Sequence, residues 1–136
     1  MQIFNSMKNI NLEDFIQVIL GTIILSTPII LTEEATTISQ NIPVYKIGMV
    51  ICISFLLNSL FIFYGVYEGA IDSKLHKFIA RIFINYFLTI FTVCVIVFML
   101  NFNNHFVNLV HFFNFIILVS FPSSLAGVVI DSFDKE

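Results

Sequence analysis

Residues 78–102 read FIARIFINYFLTIFTVCVIVFMLNF. Beyond Arg81 the run holds no charged side chain, and its apolar residues are continuous rather than alternating. A helix of that length covers about 37 Å at 1.5 Å per residue, more than the hydrocarbon core of a bilayer, about 30 Å. The shorter, alternating strands of outer-membrane barrels do not fit it. Working outward, three more stretches share the pattern: 15–31, 44–67 with Lys46 near its start, and 106–130. The predicted fold is all-α, a polytopic transmembrane bundle of four membrane-spanning helices. Its single transmembrane domain covers 15–130, between an N-terminal cytoplasmic or interfacial segment, 1–14, and a short cytoplasmic tail, 131–136.

The whole chain agrees. Of its 136 residues 58% are hydrophobic and 11% charged, where soluble domains carry roughly 25% charge. Mean hydropathy is +0.97. So few charges cannot cover a soluble surface, and so apolar a chain is not disordered. Six Lys and Arg at a net charge of -3 leave no footprint for nucleic acid. Cys52 and Cys94 lie inside apolar runs and read as packed thiols, with neither metal nor cofactor expected. Trp is absent, so interfacial anchoring falls to Tyr45, Tyr64, Tyr67, Tyr86 and some of the 17 Phe. Glu13 and Asp14, with no prompt small-residue cleavage site, argue against a signal peptide.

The basic residues set the orientation. With four spans, one side carries Lys8, Lys74, Lys77, Arg81 and Lys135 and the other only Lys46. The positive-inside rule then puts both termini in the cytoplasm, N-in and C-in, of a multi-pass cell-membrane protein. Residues 101–105 predict a tight hairpin between spans three and four. Residues 32–43 predict a longer polar loop. In 68–77, Gly69 breaks one helix and Ser73 or Asp72 caps the next. Ile3, Phe4, Met7 and Ile10 recur at helical spacing, as for a segment on the membrane surface, with Asn11 an N-cap candidate; a frayed terminus competes with that reading.

Polar groups inside a span need a reason, because hydrocarbon leaves them unsolvated. In span one, Thr22, Ser26, Ile29 and Glu33 follow spacings of four, three and four, which predicts one shared face flanked by Gly21 and Leu25. Pro28 removes a donor and predicts a kink, and Glu33 with Glu34 would cap the far end of the face. In span four, Ser120, Ser124, Gly127 and Asp131 share a face beside Ser123, and Pro122 interrupts the ladder. Ser120/Ser124 and Ser123/Gly127 have the small-xxx-small spacing of close helix contacts. Each segment has Ser two residues before Pro and a carboxylate downstream. Placed antiparallel, they faintly resemble the broken helices that build ion sites in transporters.

Spans two and three add Asn58 near mid-span, and Arg81 and Asn85 one turn apart. Arg81 can snorkel to the inner interface, or pair with Asp131, Glu68 or Asp72 as an internal lock. His111 and Asn114, three apart, read as packing residues rather than a proton relay. No P-loop, GxGxxG, HExxH, CxxC or GxSxG occurs. Ser123 and His111 differ by about 120° around their helix, so no serine dyad forms and no enzyme is expected.

Leu20-Gly21 through Thr27-Pro28 and Thr32-Glu33-Glu34 resemble the first-span signature of a family of small four-span prokaryotic and archaeal integral membrane proteins of unknown function. Phe121-Pro122-Ser123-Ser124-Leu125-Ala126-Gly127 and Asp131 resemble its last-span signature. The resemblance implies the four-span layout and marks these residues; it implies no activity.

Two functions follow as expectations. One is a cation channel or transporter, for a monovalent or divalent ion, with a polar path along the Pro28 and Pro122 helices. Four short spans enclose little volume, so that path is expected between the protomers of a homo-oligomer. The other is a non-transporting scaffold or regulatory subunit acting through small-residue helix packing. In either case the lipid bilayer is the first partner.

Overall fold

In a computed structural model of the chain, residues 12–65, 75–101, 106 and 108–133 are described here. They form five helices: α1 (Leu12–Ile30), α2 (Glu33–Asn41), α3 (Val44–Gly65), α4 (Leu75–Met99) and α5 (Leu109–Phe133). No strand occurs among the described residues. The helices α3, α4 and α5 are each long and apolar enough to cross a membrane. The pair α1–α2 passes the same test together, bent by 83° at the break, and makes a fourth span if the pair counts as one. The protein is therefore a helical, membrane-embedded chain with three or four spans.

The last helix organises the rest. α5 packs against every other helix, most extensively against α1, and half of its membrane window is buried, against 22% for α3. α4 leans on α1, α3 and α5, while α1 and α3 flank α5 without comparable contact. Two apolar clusters bracket the interior. Ile30, Val93, Val97, Phe115, Ile116 and Val119 close the end nearest α2, and Ala35 of α2 packs on them. Ile62, Ile82 and Val128 form the cluster towards the other end. Phe55 ties α3 to α4, its ring centroid 4.6 Å from Tyr86 and 5.2 Å from Phe83. Phe87, Phe91 and Phe98 of α4 stay exposed, as suits side chains meeting acyl chains.

α1 and α5 approach through glycine. A Cβ on Gly21 would stand 2.9 Å from the Gly127 Cα and 3.0 Å from the Ala126 carbonyl oxygen. A Cβ on Gly127 would meet Val18 Cγ1 and the Val18 carbonyl oxygen at 3.1 Å. Backbone cannot yield as a flexible side chain can, so position 21 needs glycine, while a Cβ at Gly127 would press Val18 back by a few tenths of an ångström.

Several expectations are corrected. The predicted polar loop at 32–43 is mostly α2. Its acidic first turn, Glu33 and Glu34, suits the positive end of the helix dipole. It ends where Pro43 holds Ile42 extended at φ -75, ψ 131. The expected kink at Pro28 is not where the chain turns: α1 runs through Pro28, which faces outward, and the sharp bend follows at Leu31 and Thr32. There Thr32 N–H donates to the Ile29 carbonyl at 3.1 Å, and its Oγ1 donates to the same oxygen at 2.7 Å. The hairpin after α4 is longer than 101–105, because α4 ends at Met99 and α5 starts at Leu109. Asn101 ends the α4 turn at φ 58, a left-handed conformation that asparagine tolerates. The surface-helix and N-cap readings of 1–11, and the break and caps at 68–73, lie outside the described residues.

One polar tether holds α2: Asn114 Nδ2 of α5 donates to the Ser39 carbonyl at 3.4 Å, and both residues are buried. Asn114→Ala removes it, so hydrogen exchange in α2 should quicken while α5 keeps its protection. Equal protection of α2 in both proteins would show that apolar contact alone holds the helix. Gly127→Leu should lower thermal stability in detergent by about 1–3 kcal/mol or more through overpacking. Gly48→Ala, with nothing within 4 Å of the new Cβ, should not.

Candidate functional site

Between the two apolar clusters the interior is polar. Thr22 and Ser26 of α1, Ser54 and Asn58 of α3, Asn85, Thr89 and Thr92 of α4, and Ser120, Ser123 and Ser124 of α5 are all buried. In a chain with this composition they are the exceptions, and four long helices aim them inward. Most satisfy themselves along their own helix. Thr22 donates to the Val18 carbonyl at 2.7 Å, Ser54 to Val50 at 2.7 Å and Thr89 to Asn85 at 2.8 Å. Thr92 donates to Leu88 at 2.8 Å, Ser123 to Val119 at 2.7 Å and Ser124 to Phe121 at 3.0 Å. Back-bonding of this kind lets a hydroxyl sit in hydrocarbon without an interhelical partner.

Two contacts cross between helices. Asn58 Nδ2 donates to Ser124 Oγ at 3.1 Å, joining α3 to α5. The Thr22 and Thr89 hydroxyls meet at 3.5 Å, joining α1 to α4. Four buried polar atoms remain without a hydrogen-bond partner in this zone: Ser26 Oγ, Ser120 Oγ, Asn58 Oδ1 and Asn85 Nδ2. The Tyr86 hydroxyl lies by Ser54 at a geometry short of a hydrogen bond. Among the described residues Ser26 and Ser120 are the buried Ser and Thr hydroxyls that bond to nothing. Each stands two residues before a helical proline.

The predicted site residues divide. Thr22, Ser26, Ser120, Ser123, Ser124 and Asn58 come together inside one protomer, at zero exposure. The polar faces of α1 and α5 look into their own bundle. Gly127 is taken up by α1. Pro28 does not line the interior, because positions two apart lie about 200° apart on a helix, so the side that buries Ser26 turns Pro28 away. Pro122 stands in the same relation to Ser120. Glu33 does not share a face with Thr22 and Ser26, since the bend at Leu31 and Thr32 carries it onto α2. There Glu33, Glu34, Thr37 and Ile38 line a shallow open pocket.

Arg81 is buried at 3% exposure, with Asn85 one turn along α4 at 5%. The side chains named as its partners, Asp131, Glu68 and Asp72, lie outside the described ones. No group of three or more His, Cys, Asp or Glu able to hold a metal occurs among the described residues. Sequence reading places Ser54 and Thr89 among the polar residues of spans two and three but not in the candidate site, and it overlooks Thr92. Thr89 falls four residues after Asn85 and eight after Arg81, a helical stripe that joins it to them on one face.

A double-mutant cycle on Asn58→Leu and Ser124→Ala should give a coupling of about 0.6 kcal/mol, and at most about 2, typical of hydrogen bonds between membrane helices. Zero coupling would mean that the two side chains do not share the bond.

No protein-family model matches the chain, and neither does any curated protein or solved structure.

Proposed function

We propose that the protein is a four-span cell-membrane protein with both termini cytoplasmic that carries a small cation through its own polar interior. The observation behind this reading is the pair of buried interhelical contacts, Thr22 with Thr89 and Asn58 with Ser124, which joins polar groups from all four long helices in one zone. A membrane protein needs no such zone for stability, since apolar packing and small residues suffice. Intramembrane polar groups that face the bundle interior are a usual mark of ion and solute pathways. The path runs through the polar interior between the four long helices, with the exposed Glu33 and Glu34 attracting cations at the α2 end and buried Arg81 with Asn85 forming a lock towards the other end. The five-to-one split of basic residues makes the Arg81 end cytoplasmic. A homo-oligomer then gathers complete paths rather than building one at its interfaces.

The contact of Gly21 with Gly127 favours a second reading, a non-transporting scaffold, because a seam held by glycine against backbone has no room for a solute at that level. Liposome flux separates the two. The reconstituted chain should pass Na⁺ or K⁺ above the rate of empty vesicles, and Asn58→Leu or Thr89→Val should reduce that rate several-fold. A wild-type rate equal to that of empty vesicles for both ions would reject transport and leave the scaffold.

A further inference from the structure

Ser26 and Ser120 are alike in three ways. Both are fully buried, both lack any hydrogen-bond partner, and both precede a helical proline by two residues. A helical serine whose hydroxyl bonds neither its own backbone nor a neighbour is unusual, and here every other buried Ser and Thr described has a partner. Their heights agree. α1 and α5 are antiparallel, with Ile30 beside Phe115, Ile116 and Val119, and they touch at Gly21 and Gly127. From that contact Ser26 lies about 7.5 Å along α1 and Ser120 about 10.5 Å back along α5, both towards α2. Ser120 is seven residues from Gly127 and so on nearly the same stripe of α5, the one that α1 covers. Ser26 is one turn beyond Thr22, on the side of α1 that meets Thr89. Asn58 enters from α3, with its amide nitrogen engaged by Ser124 and its Oδ1 left over.

We propose that Ser26 Oγ, Ser120 Oγ and Asn58 Oδ1 form a buried site for one small monovalent cation, which deepens the transport reading above and rests on it. All three are neutral oxygens that can accept, as they would towards a dehydrated cation; membrane proteins use hydroxyls, amides and carbonyls this way. A divalent ion loses more hydration energy on entry and is normally held by carboxylates, and the set contains none. Three polar atoms lost to water and paired with nothing are costly in hydrocarbon, and a bound ion relieves all three at once.

Ion-dependent stability of the full chain in nanodiscs tests the site. Thermal unfolding is followed in NaCl, KCl or RbCl, in choline chloride at equal ionic strength, and in MgCl₂. At least one alkali cation should raise the Tm saturably and choline should not. Ser26→Ala and Ser120→Ala should each weaken the apparent affinity about tenfold. Ser26→Thr, which keeps the oxygen, should restore it and guards against a merely structural defect. A response of the Ser26→Ala/Ser120→Ala protein equal to wild type overturns the site. So does a wild type insensitive to every alkali cation, as expected if water alone fills the gap, and a stronger response to Mg²⁺ overturns the monovalent assignment. Flux read in parallel keeps the two ideas apart. Saturable binding without flux ends the transport reading and keeps the site. Flux with binding unchanged in the double variant does the reverse.

Discussion

The structure depends on one contact, the meeting of the Gly21 and Gly127 backbones. Two helices without side chains at their crossing come closer than the usual 8–10 Å between helix axes. That closeness fixes the register of α1 against α5. It sets Ser26 near the height of Ser120 and brings Ile30 against Phe115, Ile116 and Val119. α4 then fills the groove between α1 and α5, and α3 takes the remaining side of α5. α2 folds back over the end of the bundle because Ala35 and the Asn114 tether give it a seat there.

A second constraint is the absence of water in the bilayer core. Every polar group aimed inward must find a partner within the protein, and the chain solves this in layers. Most hydroxyls turn back onto their own helix, which costs little and leaves the interhelical surface apolar. Fewer groups bond across, and those name which helices belong together. Of the buried polar atoms left unpaired, which also include Gln17 Oε1, Asn85 Nδ2 and the Tyr86 hydroxyl, those of Ser26, Ser120 and Asn58 come from three helices. Arg81 belongs to a different level, towards the end that holds Ile62, Ile82 and Val128.

Much of this was legible from the residues. The length and continuity of the apolar runs specify helices that suit a membrane, because composition there follows directly from the solvent. The small residues of spans one and four signal a close approach, and Gly21 with Gly127 is that approach. What was not legible came from competition between signals. Residues 32–43 look like a loop because they are polar, yet Thr32, Glu33 and Glu34 begin a helix and no Gly or Pro intervenes before Pro43. Helical periodicity linked Glu33 to Ser26 only while the helix was assumed continuous; the bend at Leu31 and Thr32 broke the phase. The prolines drew attention to the right turns, but Pro28 itself faces outward and Pro122 is only half-buried. Whether a polar face turns towards its own bundle or a second protomer is not a local property, and only the packing of α1 on α5 decides it.

The same packing bears on how a charge could move. A cation arriving at the α2 end would find Glu33 and Glu34 exposed, and in water such attraction is screened over about 8 Å at physiological salt. It would next face Ile30, Val93, Val97, Phe115, Ile116 and Val119, a layer with no oxygen to replace its hydration shell. Neutral oxygens follow in the middle, then the fixed charge of Arg81. The main barrier at the α2 end is therefore the desolvating apolar layer, not electrostatics. On the proposed reading, opening the path means parting that layer. α2 rests directly on it through Ala35, so displacement of α2 is the movement through which the bundle would admit an ion.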